Sequence, residues 1–411
     1  MHYSNWHRSI KMKHLTTIAT AVFATTATAF SSTPQPVLRG EATIASSFPD
    51  DRPCAVSEDS TVGFRITGGE DSPEPLKLHS IDIGPIGVMP VLQTIDIDAQ
   101  LYGNALDLAM RVSGDRLYLL SPLTIIDISD PTNMTILGQH PDGFPTFNPG
   151  PSAIAVQGTT VYIVGPNRDI KVFDCTDPTN IVSMGTIQLP GSRSSISIET
   201  LGNDQLVIGR DWDGITIHDS SAPGMLPTVG SVSGFQANSM DVDEQNGIVY
   251  TIRRDTSRQY LTSVDISNPN APVMLDQENL DDLQLFGGAG AIAVVNEQIL
   301  AVYIEYGRIE LFDVSDPANI IRMAPILTSA ANLASTNAGE LVVSSRDGIE
   351  VYEFNACAAD LTGDGSLDFF DVSAFLAAFS AQDPIADFNA DGQYNFFDVS
   401  EFLNLFNTGC P

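Results

Sequence analysis

Basic residues are scarce in this sequence. Its 411 residues include 19 Lys and Arg against 51 Asp and Glu, which gives a formal net charge of −32. Such a surface repels phosphate backbones and anionic membrane surfaces, which excludes nucleic acids as partners. Cations and uncharged surfaces are the partners that this charge favours. With 43% hydrophobic residues, the chain is still rich enough in apolar side chains to fold around a large core.

Motifs typical of enzymes are also missing, and we assign no catalytic residue. The sequence contains no Gly-x-Ser-x-Gly, His-Glu-x-x-His or phosphate-binding loop. Beyond the N-terminal segment the histidines, which we interpret as structural, are His79, His140 and His218. Two carboxyl groups about 5 to 10 Å apart could hydrolyse a glycoside. The candidates for such a pair on predicted inner strands are Asp107, Glu199 and Asp241.

Long hydrophobic runs are absent except at the N terminus. There a basic stretch ending at Lys13 precedes an apolar, Thr-rich run from Leu15 to Phe30, which includes a cleavage-like Ala27-Thr-Ala29 triplet. This order is typical of a secretory signal peptide, and the run is too short and too rich in Thr for a membrane span. We therefore expect a signal peptide over residues 1–29. The mature protein is then secreted or at the cell surface, without a membrane span.

A strand that ends in Asp and is followed by a turn recurs through the middle of the chain. The clear copies place this residue 47, 45, 46 and 48 positions apart, at Asp127, Asp174, Asp219, Asp265 and Asp313. Weaker copies at Asp82 and Glu353 extend the series by one step in each direction. Marks at intervals of about 45 residues predict an all-β β-propeller, since each interval can hold the four short strands of a blade.

The turn after each strand reads Asp-x-Ser-Asp-Pro or a variant of it, as in Asp127-Ile-Ser-Asp130-Pro131. We interpret Asp and Ser as bonding nearby backbone amides and Pro as presetting φ, rather than as a row of catalytic carboxylates. The element resembles LVIVD-type repeats, over about residues 75–354, and propellers of this family have no fixed activity. Six or seven blades are possible, with seven favoured. Residues 61–97 either form most of a seventh blade or donate one outer strand to a six-bladed ring.

Propellers usually bind ligands on the face that carries the turns between the second and third strands of each blade. Five successive blades place an arginine in that turn, namely Arg168, Arg210, Arg254, Arg308 and Arg346. With Trp212, which could stack on a sugar, these arginines could clamp carboxylate or sulfate groups of a polysaccharide. Alternatively, each arginine forms a surface salt bridge with a neighbouring carboxylate, the candidates being Asp169, Asp211, Asp255 and Asp347.

Two copies of a twelve-residue calcium loop lie 27 residues apart near the C terminus. Ca²⁺ takes six to eight oxygen ligands, which such a loop supplies from positions 1, 3, 5, 7, 9 and 12, with Gly at the sharp turn of position 6. The predicted ligands of one Ca²⁺ ion are Asp360, Thr362, Asp364, Ser366, Asp368 and Asp371. Those of a second ion are Asp387, Asn389, Asp391, Gln393, Asn395 and Asp398. Apolar residues at helical spacing follow each loop.

This pair of loop-and-helix units, with the terminal Gly409-Cys410-Pro411, resembles a dockerin domain of the Gly-Cys-ending kind known mainly from planctomycete-like bacteria. Dockerins attach secreted bacterial proteins to cohesin receptors, so the resemblance implies a cohesin-like partner. It also implies that positions 10 and 11 of each loop contact the partner, at Phe369, Phe370, Phe396 and Phe397. Dockerins usually carry small polar residues there. In the alternative, some of these phenylalanines pack the two helices together.

The four cysteines are assigned as follows. Cys357 and Cys410 bracket the dockerin-like module, and a disulfide between them would staple a small exported domain. Cys175 lies on a predicted strand where sister repeats carry Ile or Val, so we expect a buried thiol. Pairing of Cys175 with Cys54 is the alternative.

The predicted domains are a signal peptide (1–29), an N-terminal linker (30–60), the β-propeller (61–355) and a small α-helical dockerin-like domain with two calcium loops (356–411). The predicted function is attachment to a cohesin-like partner through the calcium-binding module, with the propeller as a binding or scaffold module in polysaccharide breakdown. The alternative function is a carbohydrate-active enzyme, either a glycoside hydrolase or a polysaccharide lyase, that uses the channel face. In a third interpretation the propeller only mediates protein contacts at the cell surface.

Overall fold

The repeated strand-and-turn pattern folds into short antiparallel strands. The structure, a computed structural model, describes residues 34–44, 53–68, 76–97, 110–120, 123–140, 153–164, 169–189, 195–202, 204–210, 213–252, 259–281, 289–304, 307–328, 330–345, 347–355, 359–362, 367–388 and 393–408. The predicted signal peptide lies outside these residues.

Within these residues the strands form seven sheets, which are the blades of a β-propeller. Blade 1 contains β2 (Cys54–Val56), β3 (Val62–Thr67), β4 (Leu76–Asp82) and β6 (Val91–Ile97). Blade 2 contains β7 (Met110–Ser113), β8 (Arg116–Leu119), β9 (Leu123–Asp127) and β10 (Thr135–His140). Blade 3 contains β11 (Ala153–Gln157), β12 (Thr160–Val164), β13 (Asp169–Asp174) and β14 (Val182–Gln188). Blade 4 contains β15 (Ser195–Leu201), β16 (Gln205–Arg210), β17 (Gly214–Asp219) and β18 (Thr228–Val232).

The remaining blades follow the same order along the chain. Blade 5 contains β19 (Ser239–Asp243), β20 (Ile248–Ile252), β21 (Tyr260–Asp265) and β22 (Val273–Asn279). Blade 6 contains β23 (Ala289–Val294), β24 (Ile299–Ile304), β25 (Arg308–Asp313) and two short outer strands, β26 (Ile321–Arg322) and β27 (Ile326–Leu327). Blade 7 contains β28 (Ala330–Ser335), β29 (Leu341–Ser345), β30 (Gly348–Asn355), β1 (Gln35–Thr43) and, beyond it, β5 (Gly87–Val88). The favoured count of seven blades is confirmed.

An N-terminal strand closes the ring. Strand β1 pairs antiparallel with β30, so residues 35–43 supply the fourth strand of the last blade. Strand β2 begins the first blade at Cys54. The linker predicted over residues 30–60 is therefore wrong for these segments, and the propeller begins at Gln35 rather than at residue 61. The closing strand also comes from residues 35–43, and not from residues 61–97 as the six-bladed alternative required.

Two arginines, one buried and one partly buried, reinforce this closure. Arg65 of β3 is fully buried, and its guanidinium donates to the carbonyl of Ile44 at 2.5 Å and to that of Ser345 in blade 7. Arg39 of β1 forms an ion pair with Glu340 of blade 7 at 2.6 Å. Hydrogen bonds from a charged donor are stronger than neutral ones, particularly away from water. Blade 1, blade 7 and the closing strand are thus joined by charged groups as well as by backbone pairing.

Hydrophobic packing runs between blades rather than within them. Each core cluster of the described propeller residues draws its side chains from two successive blades, and one of them spans blade 7 and blade 1. A blade on its own would expose both apolar faces to water, which is unfavourable. The blades are therefore stable only as a ring. Cys175 lies fully buried in the cluster between blades 2 and 3, as expected for a small hydrophobic side chain.

The turn interpretation of the repeated Asp residues is confirmed. Asp127 accepts hydrogen bonds from the backbone N–H of Ser129 at 3.0 Å and from its hydroxyl at 2.7 Å. Three residues later, the N–H of Asn133 donates to the carbonyl of Asp130 at 2.9 Å, with Pro131 between them at the position that favours proline in a type I turn. The carboxylates at positions 174, 219, 265 and 313 accept an equivalent bond from the residue two places on.

The proline carbonyl of several of these turns also contacts the preceding blade. The hydroxyl of Ser80 in blade 1 donates to the carbonyl of Pro131 in blade 2 at 2.6 Å, and Ser263 in blade 5 donates to Pro317 in blade 6 at 2.5 Å. In blade 4 a glycine of the outer strand makes the contact instead, since a Cβ on Gly230 would lie 2.1 Å from the carbonyl oxygen of Pro269. The turns therefore connect blades as well as strands.

Two helices and a short 3₁₀ turn make up the described part of the C-terminal segment, as the apolar periodicity predicts. Helix α1 spans Phe369–Ala381 and helix α2 spans Phe396–Thr408. Their core contains Phe375 and Phe402, which occupy equivalent positions of the repeat and stack with ring centroids 4.1 Å apart. We call residues 359–408 the helical unit.

We expect Gly230→Ala to lower the free energy of unfolding by about 3 kcal/mol, because the new methyl group would overlap a backbone carbonyl that cannot move without displacing blade 5. Gly224→Ala in the same blade is the matched control, since nothing lies within 4 Å of the position of its Cβ. Thermal unfolding of both variants measures the effect. Equal midpoints for Gly230→Ala and Gly224→Ala would contradict the role of this contact.

Candidate functional site

Side-chain oxygens converge in the first loop of the helical unit. The Thr362 hydroxyl lies 3.3 Å from one carboxylate oxygen of Asp360 and 3.0 Å from one of Asp371. These residues occupy positions 1, 3 and 12 of the predicted calcium loop. Asp371 also accepts the backbone N–H groups of Thr362 at 3.0 Å and of Asp368 at 2.9 Å. The loop therefore brings together hard oxygen ligands of the type that Ca²⁺ prefers.

The second loop repeats this geometry at its helix. Asp398 accepts the backbone N–H of Asn395 at 2.7 Å, as Asp371 accepts that of Asp368. The Asn395 side chain in turn accepts the N–H of Phe397 at 2.8 Å, so it caps the N terminus of α2 as Asp368 caps that of α1. In both loops the backbone N–H of position 9 thus holds the carboxylate of position 12 against the loop.

Several predicted ligands lie outside the described residues, namely Asp364, Ser366, Asn389 and Asp391. Of the second loop, Asp387 and Gln393 are described. In the described part of the chain, no group of three or more His, Cys, Asp or Glu side chains has the arrangement of a metal site. The described ligands are thus those at the start of each loop and those where the loop joins its helix.

Charge in the helical unit is strongly one-sided. Asp360, Asp371 and Asp398 are 5%, 0% and 0% exposed, and residues 347–411 contain no Lys, Arg or His. Burial works against ionisation of Asp371, but its backbone hydrogen bonds outweigh burial and hold its pKa below the usual value. Buried carboxylates require a compensating positive charge. This segment of the sequence supplies none, so a bound cation fits the residues present.

Exposed aromatic side chains mark the first turn of each helix. Their exposed fractions are 75%, 65%, 75% and 66% for Phe369, Phe370, Phe396 and Phe397. The alternative in which they pack the helices together is wrong, since Phe375, Phe402 and their neighbours fill that core. Two equivalent apolar patches remain open to contact.

The central channel of the propeller contains a second group of charged side chains. The first strands of successive blades contact one another around the ring, so they line the channel. Strand registers place seven residues at one level of these strands, one per blade, and they are Ala55, Arg111, Ala155, Glu199, Asp241, Ala293 and Ala334. Four blades thus contribute a methyl group, and three contribute a charge.

Arg111 forms an ion pair with Glu199, which lies two blades away. The Arg111 side chain is 43% exposed and that of Glu199 is 17% exposed, so solvent in the channel has access to both groups. Burial raises the pKa of Glu199 to about 7, Arg111 opposes this rise, and Asp241 adds to it. Asp241 accepts the backbone N–H groups of Val242 at 2.9 Å and of Val294 at 2.7 Å.

A cleft of about 560 Å³ begins at Asp241 and extends along blades 5, 6 and 7. Carboxylates and carboxamides line it, among them Asp243, Glu297 and Asn337. Groups of this kind hydrogen-bond hydroxyl groups and attract cations. Glu199 and Asp241 do lie on inner strands, as predicted, whereas Asp107 lies outside the described residues.

Of the predicted arginine ring, the structure describes Arg210 and Arg308. Arg210 is 4% exposed. Arg308 forms an ion pair with the fully buried Glu310, which Arg322 also contacts at 2.7 Å. Arg308 is therefore engaged locally, although with Glu310 rather than with a neighbouring Asp. The other members of this predicted site, Arg168, Trp212, Arg254 and Arg346, lie outside the described residues.

The histidines and described cysteines have structural surroundings. His79 hydrogen-bonds Thr67 at 2.7 Å and Thr94 at 2.9 Å, and burial lowers its pKa to about 4, so the ring is neutral. In the described part of the chain, Cys54 and Cys175 are both free and buried, so the alternative pairing between them is wrong. Cys357 and Cys410, the predicted disulfide, lie outside the described residues.

Sequence reasoning identified Glu199 and Asp241 but missed Arg111. A signal for it exists, because Arg111 is a charged residue at a level where most repeats carry Ala. That signal becomes visible only when the first strands of all blades are aligned by register. Within the sequence of blade 2 alone, Arg111 is one polar residue on a short strand, and this signal is not visible.

Comparisons with known proteins agree with the propeller. The model of the LVIVD repeat family matches residues 103–140 and 256–277. No curated protein matches the chain. Among solved structures, the chain is similar to the RRP9 WD40 repeats (TM-score 0.57, 11% identity, covering 78% of this chain and 100% of that one). It is also similar to U3-55K (TM-score 0.54, 12% identity, covering 75% and 100%).

These likenesses concern the fold alone, because the sequence identities are low. None of the helices among the described residues is long and apolar enough to cross a membrane. Two segments of the chain thus match the LVIVD repeat, and the described residues form a seven-bladed β-propeller followed by two short C-terminal helices.

We expect Phe402→Ala to destabilise the helical unit by about 3 to 5 kcal/mol, because it removes a buried ring from the stacked pair. Phe397→Ala in the same helix is the control and should change stability by no more than about 0.5 kcal/mol, since its side chain is exposed. Limited proteolysis of the full chain reads out the difference as the rate of cleavage between residues 359 and 408. Equal cleavage rates for the two variants would contradict the assigned core.

Proposed function

We propose that this protein is a secreted, calcium-binding β-propeller that attaches through its C-terminal helical unit to a cohesin-like receptor. The propeller acts as a binding or scaffold module, in the setting of polysaccharide breakdown. The observation that carries the proposal is the convergence of Asp360, Thr362 and Asp371 oxygens in a sequence segment without any basic residue. The resemblance to a dockerin domain gives this convergence its functional meaning.

Two Ca²⁺ ions would be held by the oxygens at positions 1, 3, 5, 7, 9 and 12 of the two loops. They would supply positive charge to the buried carboxylates of Asp360, Asp371 and Asp398. Asp371 and Asp398 link each loop to the first turn of its helix. Neutralising these carboxylates would therefore stabilise the attachment of both loops to the helices and hold the phenylalanine patches in place.

The phenylalanine patches fit a receptor with apolar surface. Exposed large apolar side chains in pairs, repeated 27 residues apart, are typical of a contact surface rather than of scattered surface residues. Since the helical unit carries no positive side chain beside them, a receptor with basic residues around its apolar centre would be favoured over an acidic one. The four phenylalanines are thus the proposed partner-binding residues.

In the propeller, the arrangement favours binding over hydrolysis. Glu199 is held by Arg111, and Asp241 accepts two backbone N–H groups, so both carboxyl groups already have partners. The cleft that begins at Asp241 offers carboxylate and carboxamide oxygens to a polyhydroxylated ligand such as a polysaccharide. The carbohydrate-active enzyme alternative needs one of the two carboxyl groups to be available to the substrate.

Calorimetric titration of the full chain with Ca²⁺ tests the metal sites. We expect two ions per chain for the wild type, and at least about tenfold weaker binding at one site in Asp371→Asn or Asp398→Asn, because each removes the charged ligand at position 12. Glu401→Gln removes the same charge from α2 outside the loops, and should bind two ions as the wild type does. Absence of Ca²⁺ binding by the wild type would overturn the proposal.

Binding of the full chain to a panel of purified cohesin modules tests the partner. We expect Ca²⁺-dependent binding to at least one module, and a loss of at least about tenfold when Phe369 and Phe396 are both changed to Ala, since exposed aromatic anchors dominate such contacts. Val273→Ala, at an exposed apolar residue of blade 5, is the control. Binding that is equal in the double variant and the control would rule out the phenylalanine patches as the receptor surface.

A further inference from the structure

Arg111 and Glu199 connect two blades that are not neighbours. Arg111 belongs to blade 2 and Glu199 to blade 4, and the residue at the same level of blade 3 is Ala155. The ion pair therefore joins the first strands of two blades that are separated by a third, instead of joining adjacent strands.

The two carboxyl groups near Arg111 are held differently. Burial raises the pKa of Asp241, and the backbone N–H groups of Val294 and Val242, which favour its ionised form, oppose this rise. Glu199 accepts from the Arg111 side chain, and no backbone N–H among the described residues donates to it. The ionised form of Asp241 is therefore supported by two backbone donors, whereas that of Glu199 depends on the Arg111 side chain.

The charged groups around Glu199 also favour its protonated form. Besides Arg111, the charged groups that act on Glu199 are Asp241 and Glu244, both of which oppose a second negative charge. The first strands of the remaining blades contribute alanines at this level. Burial raises the pKa of Glu199 to about 7, so its protonation state changes near neutral pH.

We propose that Arg111 and Glu199 form a proton-controlled link across the propeller channel. Ionised Glu199 holds the Arg111 guanidinium between blades 2 and 4. When Glu199 takes up a proton from solvent, its oxygen loses its charge, and Arg111 moves to the carboxylate of Asp241. Asp241 stands at the start of the cleft, so the same step neutralises one charge of the cleft. The cleft is then more acidic above neutral pH than below it.

This link does not serve stability. The pKa of Glu199 in the folded protein is higher than its ordinary value of 4.5, so between these values the folded state binds more protons than the unfolded state. The contribution of Glu199 to stability therefore falls as the pH rises from about 4.5 to about 7. Desolvation outweighs the attraction to Arg111, as is common for buried ion pairs. A costly charged pair in a channel fits a switching role better than a structural one.

The test is a pH titration followed by NMR of the full chain with ¹⁵N-labelled arginine. The Arg111 side-chain signal is assigned by its absence in Arg111→Lys. In the wild type we expect this signal to shift between pH 5 and pH 9 with a midpoint near 7. In Glu199→Gln the shift should be lost. In Asp241→Asn the midpoint should move to lower pH, because removing this neighbouring charge makes Glu199 easier to ionise.

Glu297→Gln removes a charge from the cleft and is the control, for which we expect the wild-type midpoint. The link is refuted by an Arg111 signal that does not change with pH in the wild type. It is equally refuted by a shift that persists in Glu199→Gln, or by an Asp241→Asn midpoint that does not fall. None of these outcomes bears on Ca²⁺ binding by the helical unit, because the variants lie in the propeller.

Discussion

Face-to-face packing of successive blades is the constraint on which the rest of this structure depends. Each apolar cluster of the described propeller is shared by two blades, so every sheet needs a neighbour on both sides. A row of blades packed in this way would expose an apolar face at each end, so the row must close into a ring. Closure comes from β1, which pairs with β30, and from Arg65, whose guanidinium joins carbonyl groups on either side of the final seam. The channel exists because the ring is closed, and it is there that Arg111, Glu199 and Asp241 meet.

Carboxylates are accommodated in three ways along the chain. In the repeated turns, the hydroxyl and the backbone N–H of the residue two places on lower the pKa of Asp127, Asp174 and Asp219. The channel sets one arginine against two carboxyl groups. The helical unit buries carboxylates where the sequence offers no basic residue at all. Only the first arrangement is complete without an outside charge or proton, and this is why the other two are the functional candidates.

The elements that depend on interactions between residues close in the sequence were predicted correctly. The Asp marks identify the third strand of each blade because a turn must follow it, and the 27-residue repeat identifies both helices. Strand β1 was missed, since it is a mixed strand with Arg39 and Glu41, interrupted by a bulge between Leu38 and Gly40, and has no turn mark. Arg111 was missed because its significance depends on the register of distant strands. The exposure of Phe369 and Phe396 was expected from the resemblance to a dockerin but not from the residues alone, since helical periodicity does not show which of several phenylalanines fill a small core.

The pairing of β1 with β30 also affects the order in which the protein can be completed. Register joins Gln35 to Asn355, so the earliest strand of the propeller and its partner stand at opposite ends of the domain. A nascent chain cannot finish the ring until almost the whole propeller has emerged, and until then both terminal blades present unpaired edges. Long-range closure of this kind is slow. The C-terminal helical unit follows β30 in the sequence, so it emerges only after all strands of the ring are available.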